Sequence, residues 1–579
     1  MSKQSPDSTT GKPDKAGNAD TVGRRSVLGG AAAVAGAAAL TTALPATAHA
    51  APVANGGVGV ANVATPDIIN VAPADKRFPD LVRGTNQRWS ANPGTVRLVT
   101  TPQQAQRAVQ EAVDQNKRLT VRSGGHCYED FVFNSEVQVV VDVSGMNQVY
   151  FDQGKNAFCI ESGASNLQVY ETLYKLYGVS IPAGSCASVG AGGHIVGGGF
   201  GLLSRLHGLT VDHLYGVEVV VVRNGTAQLV TATRDSTGPE KELWWAHTGG
   251  GGGNFGLITR YWMRSPNATG TNPSNLLPKP PSEVILHSAG WDWKDLNQAS
   301  FTRLLQNFGN WCQANSAPGS PYESLFGLFK LNKRTANNGG RIILLTQMDA
   351  NVPNAQQLFN NYLDAIGAGV GGPPTLAMTR SSGEHAAMPM LVQPQVFPWY
   401  IATDYLSGGN PTLCGDYKSA YARKPFSTVQ IQAMYQQLTR NDYLNGDALV
   451  QIDTYGCQIN TVASAATAVP QRDSIMKLQF QTYWAPGTPE TEHVAWIRDF
   501  YKAVYAETQG VPVPNQINDG CYINYPDKDL NDPVQNPSGI PWSQLYYLGN
   551  YPRLQTAKQT WDPTNFFRHA QSVRLPGTT

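Results

Sequence analysis

Three short stretches of the 579-residue chain carry residue types that could do chemistry together. The first is Arg122-Ser123-Gly124-Gly125-His126, directly after a short strand expected over 119–122. The second runs from Gly184 to Gly201 and holds Cys186, Gly190, Gly192, Gly193, His194, Gly198 and Gly199, interleaved with Val189, Ile195, Val196 and Phe200. Glycine weakens a regular element by about 0.5–1 kcal/mol per residue, so this density implies close backbone approach to something bound. Successive backbone N–H groups in such loops make nests for an anion such as a pyrophosphate. A flexible linker would carry polar filler where this stretch carries apolar residues. The third stretch, Cys521-Tyr522-Ile523-Asn524-Tyr525-Pro526-Asp527, offers phenols for proton transfer. If it is a strand, Tyr522 and Asn524 share one face and Tyr525 takes the other. A fourth cluster contains a literal G-x-G-x-x-G at Gly251, Gly253 and Gly256. It opens onto a strand pattern through Ile258, whereas the dinucleotide fingerprint follows a strand and opens a helix, so a Rossmann site is excluded.

The elements that must position these residues read as α/β between 95 and 262. A helix is expected over 103–115, strands over 137–143 and 157–161, and a helix over 167–177. A strand pattern from Tyr215 to Val222 turns at Asn224-Gly225 into a second run from Ala227 to Thr231, a hairpin pattern. Composition shifts to Pro, Asn and Ser at 266–281, a domain boundary. Beyond it, sheet-like runs fall at 341–348, 448–455 and 476–484. Alternation puts Gln451 and Asp453 on one strand face, and Gln479 with Gln481 on one face of the next, a polar floor suited to hydroxyl groups.

Composition excludes several classes. Lys+Arg number 43 against 42 Asp+Glu, a net charge of +1, and no basic run offers a footprint for nucleic acid. With 41% hydrophobic residues the chain is not a disordered one. Seven cysteines form no CxxC and no zinc spacing, and no metal is expected. The first fifty residues read as an address: Arg24-Arg25, an Ala/Gly-rich apolar run to Leu44, and Ala48-His49-Ala50, with cleavage after Ala50. The run is too weakly apolar to hold in lipid, so no stable membrane insertion is expected. Paired arginines before a weak apolar run resemble a twin-arginine signal, which implies the twin-arginine export machinery as partner and a secreted protein, exported across a bacterial cytoplasmic membrane.

The motifs Arg122-Ser-Gly-Gly-His126, Cys186-Ala-Ser-Val-Gly-Ala-Gly-Gly-His194, Gly251-Gly-Gly-Asn-Phe-Gly-Leu-Ile-Thr259 and Asp562-Pro-Thr-Asn-Phe-Phe-Arg-His-Ala-Gln-Ser572 closely resemble the berberine-bridge-enzyme-like FAD-linked oxidases of the vanillyl-alcohol oxidase fold group. The resemblance spans about Arg83 to Leu575 and is nearest to aclacinomycin-type oxidoreductases and carbohydrate or glycopeptide hexose oxidases. It implies an α+β fold, with a two-subdomain FAD-binding domain and an inserted substrate domain built on a large antiparallel sheet. The corresponding divisions are a signal peptide at 1–50, a leader at 51–85, an FAD-binding domain at 86–270, a substrate domain at 271–517 and a C-terminal return to the FAD domain at 518–579. It further implies FAD attached twice, through His126 to the 8α carbon and through Cys186 to C6, with Arg122, Ser123, Gly124, Gly125, Gly190, Gly192, Gly193, His194, Gly198, Gly199, Gly256, Ile258 and Asn565 around it. Removing Cys186 leaves six cysteines, which could pair. The small residue at the family's oxygen-gate position, Ala191, implies a path for O2.

The Y-x-N-Y segment resembles that of the carbohydrate and aclacinomycin-type oxidases, whose base is tyrosine. Tyr522 is the expected base, with Tyr525 the alternative if the strand faces the other way, and Asp453 the expected acceptor that orients the phenol. Gln451 and Gln481 are the expected substrate contacts. A bare Asp453 charge would raise the phenol's pKa, so other groups must lower it. The expected activity is oxidation of a sugar hydroxyl, on an oligosaccharide or a glycosylated natural product, by hydride transfer to bicovalent FAD, with O2 reduced to H2O2. The rivals are C–C or C–N oxidation of an alkaloid-like aromatic, for which no glutamate base is found at the matching strand, and a non-catalytic carbohydrate-binding protein.

Overall fold

A computed structural model describes residues 67–335, 340–371 and 378–577. The expected signal peptide lies outside them, and no helix among the described residues is long and apolar enough to cross a membrane.

The described residues form three sheets. The first contains β1 (Ile69–Val71), β2 (Thr95–Leu98), β3 (Leu119–Arg122) and β4 (Val139–Asp142), in the order β1-β2-β4-β3. The last three are parallel, and β4, Val-Val-Val-Asp, is buried throughout, as a parallel strand covered on both faces should be. Helix Pro102–Asp114 covers this sheet. Thr101 caps it by accepting from the Gln104 N–H, and Ala105, Ala108, Val109 and Ala112 form its buried stripe. Residues 69–71 pair with β2 and 78–81 form a helical turn, so this part of the expected leader is built into the first sheet. The reason is register: Ile69 to Val71 lie antiparallel to Leu98 to Val96 and bury Val71.

The second sheet is antiparallel: β5 (Val149–Asp152), β6 (Ala157–Glu161), β7 (Leu214–Arg223), β8 (Thr226–Thr233) and β9 (Leu257–Met263), in the order β5-β6-β9-β7-β8. The β7–β8 hairpin turns at Asn224 and Gly225, both at positive φ.

The third sheet is antiparallel and has seven strands: β10 (Glu283–Asp292), β11 (Phe326–Asn332), β12 (Arg341–Asp349), β13 (Gln395–Pro398), β14 (Cys414–Ala422), β15 (Ala448–Thr454) and β16 (Met476–Trp484). The order is β13-β10-β12-β11-β15-β16-β14. Its register sets one row of Lys330, Gln451, Gln479 and Ser419 directly opposite one another, and places Asp453 opposite Lys477.

Candidate active site

The two glycine loops meet backbone to backbone. A Cβ on Gly124 would stand 2.3 Å from the Gly190 nitrogen, and one on Gly190 would stand 2.2 Å from Ser123 Oγ. Only glycine permits that approach. Arg122 is fixed by Asp142 at 2.5 Å, and Ser123 donates to the Ser162 carbonyl at 2.6 Å. These loops and the Gly251–Asn254 loop line one cavity, whose wall also includes the apolar Leu119, Val121 and Leu257. Gly193 lines it too, and a Cβ there would have no atom within 4 Å, so a side chain would fill the room left for a ligand.

His126 and Cys186 converge on one hydroxyl. Ser188 Oγ lies 3.0 Å from His126 Nε2 and 3.5 Å from Cys186 Sγ. Burial, with Arg122 nearby, lowers the imidazole to about 4, so it is neutral and free to act as a nucleophile. Burial pushes the Cys186 thiol up; the Ser188 hydrogen bond opposes this and the Glu384 charge adds to it. His194 accepts from the Gly184 N–H at 2.9 Å and so closes the second loop.

Another part of the cavity wall is polar and faces the glycine loops. Asn524 Nδ2 donates to Tyr522 Oη at 3.0 Å and to the His194 carbonyl at 2.9 Å, which ties the phenol to the short helix Ala191–Val196 within the second glycine loop. Lys477 Nζ donates to Tyr525 Oη at 3.1 Å, pairs with Asp453 at 3.1 Å, and stands 5.3 Å from the Tyr522 ring centroid. Gln451 donates to Asp453 at 2.8 Å. Burial and the neighbouring Tyr525 raise the Tyr522 phenol; Lys477, Asn524 and the Gly199 backbone N–H pull it down. Burial, Asp453, Glu384 and Cys186 hold Tyr525 well above the ordinary tyrosine range.

Several expectations are corrected. Tyr522–Tyr525 is a turn, not a strand: the Tyr525 N–H donates to the Tyr522 carbonyl at 2.9 Å, between Gly520 at positive φ and Pro526. Strand alternation therefore does not apply, and both phenols reach the cavity, with ring centroids 5.0 Å apart. Asp453 holds Lys477 and Gln451 rather than hydrogen-bonding Tyr522. Gln481 is on the expected face but does not line the cavity: it accepts from Tyr483 Oη at 2.9 Å beneath Gly383, while Gln479 lines the cavity in its place. Gly198 and Gly199 do not line it either. Both take positive φ, turning the chain behind the loop, and a Cβ on Gly199 would stand 2.3 Å from Thr210 Oγ1. Asn565, at positive φ in the turn after Asp562, borders a neighbouring hollow with Arg568 and Arg574. All seven cysteines are free, so the six besides Cys186 do not pair.

Lys477, Glu384, Tyr128 and His569 line or border the site and were missed. Lys477 was within reach, since alternation with Gln479 on β16 puts it on the same face. Tyr128 stacks on Tyr417 at 3.7 Å, an arrangement with no sequence signal.

The glycine cradle, the convergent His126 and Cys186 and the facing tyrosines fit FAD, and they define a flavin-dependent oxidoreductase of the vanillyl-alcohol oxidase type. Residues 93–231 match the FAD binding domain family, and residues 521–574 match the berberine and berberine-like family. The aclacinomycin-N/aclacinomycin-A oxidase of Streptomyces galilaeus is 45% identical over 539 residues, covering 92% of this chain and 94% of the relative. The hexose oxidase of Chondrus crispus is 36% identical over 88% of this chain and 95% of its own. A glycopeptide hexose oxidase solved with teicoplanin superposes with a TM-score of 0.81 at 44% identity, over 88% of this chain and 99% of that one. The chain belongs to the berberine-bridge-enzyme-like FAD-linked oxidases.

Proposed function

We propose that this protein is a secreted oxidase acting on a hydroxyl group of a sugar, free or part of a glycosylated natural product, with O2 reduced to H2O2. The observation that carries the reading is the polar wall of Gln451, Asp453 and Gln479 beside two cavity-facing phenols, opposite the glycine loops. The relatives named for oxidising hexose and aclacinomycin point the same way. FAD supplies the two-electron acceptor. Tyr522 Oη takes the hydroxyl proton, and Asn524, the Gly199 N–H and Lys477 steady the resulting negative charge. Asp453 holds Lys477 in place, and the glutamines hold neighbouring hydroxyls of the sugar. Ala191, buried at the start of the helix Ala191–Val196 between the cavity-lining Gly190 and Gly192, is the small residue that would let O2 pass. Incubating the purified holoenzyme with a panel of oligosaccharides and glycosides should release peroxide from at least one; none from any would overturn the assignment.

FAD is held through both His126 and Cys186, on the strength of their convergence on Ser188. Cys186→Ala and His126→Ala should each keep flavin bound through acid precipitation, with altered absorption spectra. The double variant should release it. Loss of all covalent flavin in either single variant contradicts two attachments.

Export follows folding, by the twin-arginine route that Arg24 and Arg25 indicate. Replacing both with lysine should retain holoprotein in the cytoplasm; unimpaired secretion would sink that route.

A further inference from the structure

Cys186 lies in an irregular stretch, outside any helix or strand, so its sulfur is placed by what the stretch is bonded to. Two elements hold it. One is the start of the helix Asn166–Tyr177. Asn166 Nδ2 donates to the Gly184 and Cys186 carbonyls at 3.1 and 3.2 Å, and the Leu167 N–H donates to the Ala187 carbonyl at 3.1 Å. The other is a strap, residues 407–413, between β13 and β14. Ser407 Oγ accepts from the Ala187 N–H, the peptide directly after Cys186, at 3.2 Å. Two residues on, Gly409 presses against the thiol itself: a Cβ there would stand 2.9 Å from Cys186 Sγ and 3.8 Å from Ser188 Oγ.

The strap is fixed on both flanks. The Gly409 N–H donates to the Glu384 carbonyl at 2.9 Å, and Gly408 pairs with His385 as an isolated antiparallel bridge. Gln87 Nε2 donates to the Pro411 carbonyl at 2.9 Å, and the Gln87 N–H donates to that of Leu413 at 3.0 Å. The strap thus offers the sulfur a fixed surface, and glycine at 409, with φ at +111°, admits the close approach. Neither Ser407 nor Gly409 lines the cavity, so contact with a substrate does not account for them.

We propose that Ser407 and Gly409 are positioning residues for the second flavin attachment, holding the Cys186 sulfur where it joins C6. This rests on the reading that FAD is held through both His126 and Cys186, and names what places one of the two. Attachment replaces the thiol proton and the hydrogen on C6 with one S–C bond, and O2 takes the two protons and two electrons, leaving as H2O2. Burial pushes the thiol up, so little of it is thiolate at neutral pH and the rate depends on placement.

The test follows, with time, the flavin that survives acid precipitation when the full chain, purified soon after induction, is held in air with excess FAD. In His126→Ala only Cys186 attaches flavin. Adding Ser407→Ala there should slow attachment about tenfold to a hundredfold, since a misplacement of about 1 Å can cost about 10²-fold. Ser407→Thr, which keeps the hydroxyl, should restore the rate, and Gly409→Ala should slow it at least as much. In Cys186→Ala, where His126 alone attaches flavin, Ser407→Ala should leave the rate unchanged. Equal slowing in both backgrounds, the mark of a general loss of structure, overturns the proposal. A rate in the His126→Ala background that Ser407→Ala does not change sinks the strap and leaves two attachments standing. No attachment in His126→Ala itself sinks the two-attachment reading, and the proposal with it.

Discussion

Tyr522→Phe should slow anaerobic flavin reduction by about 10²–10⁴-fold, the usual contribution of a general base, while flavin content stays the same. The phenol touches neither His126 nor Cys186; its hydroxyl is bonded to Asn524, which in turn holds the His194 carbonyl. Reoxidation by O2 should therefore be unaffected. The pH profile supplies a second readout. Burial raises the Tyr522 phenol, so the phenolate fraction, and with it the rate of reduction, should climb as pH rises. That limb should vanish in the phenylalanine variant. Tyr525→Phe is the necessary companion, because both rings face the cavity and Lys477 donates to the Tyr525 hydroxyl. If Tyr522→Phe reduces at wild-type speed and Tyr525→Phe does not, the roles are exchanged.

That these two phenols compete at all marks where sequence reasoning stopped. The glycine loops stood out in the sequence by their density, read as close approach to a bound group; what the structure adds is that Gly124 and Gly190 also press against each other. Strands β3, β6 and β16 fall where their patterns placed them, since each is bounded by turn residues and buried by its neighbours. The Tyr522–Tyr525 segment misled because alternation describes only an extended chain, and Pro526 together with Gly520 bends this one. Gln481 misled differently: its face was right, but the segment at Gly383 covers it, a contact between residues about a hundred positions apart that no local pattern encodes. Glu384 lies on a loop with no periodicity, held at the site by long-range contacts: its backbone carbonyl accepts from Gly409, near Cys186, and its carboxylate accepts from Tyr128 Oη. Lys477, from the position opposite Asp453 on the neighbouring strand, joins Asn524 and the Gly199 N–H in opposing the rise that burial imposes on the Tyr522 phenol, but the phenol stays raised overall.

Lys477→Met should therefore cost both stability and rate, and the two losses should separate on adding Asp453→Asn. The pair is buried on both sides, with side-chain exposures of 0% and 4% and a separation of 3.1 Å. Removing one partner strands a buried charge, typically at about 3–5 kcal/mol, whereas replacing both with neutral groups is often close to neutral. The single variant should thus unfold at markedly lower denaturant concentration, and the double variant should recover most of that loss. Catalysis should not recover. In both variants Tyr525 Oη loses its donor and the cation 5.3 Å from the Tyr522 ring is gone. The phenol's pKa then rises, and the rising limb of flavin reduction should move to higher pH in both. Asp453→Asn alone, which keeps the ammonium beside both rings, should cost less in rate than Lys477→Met. Equilibrium unfolding and anaerobic stopped-flow on the three variants decide the matter. A double variant that regains wild-type reduction rates along with its stability would show that Lys477 only braces the sheet.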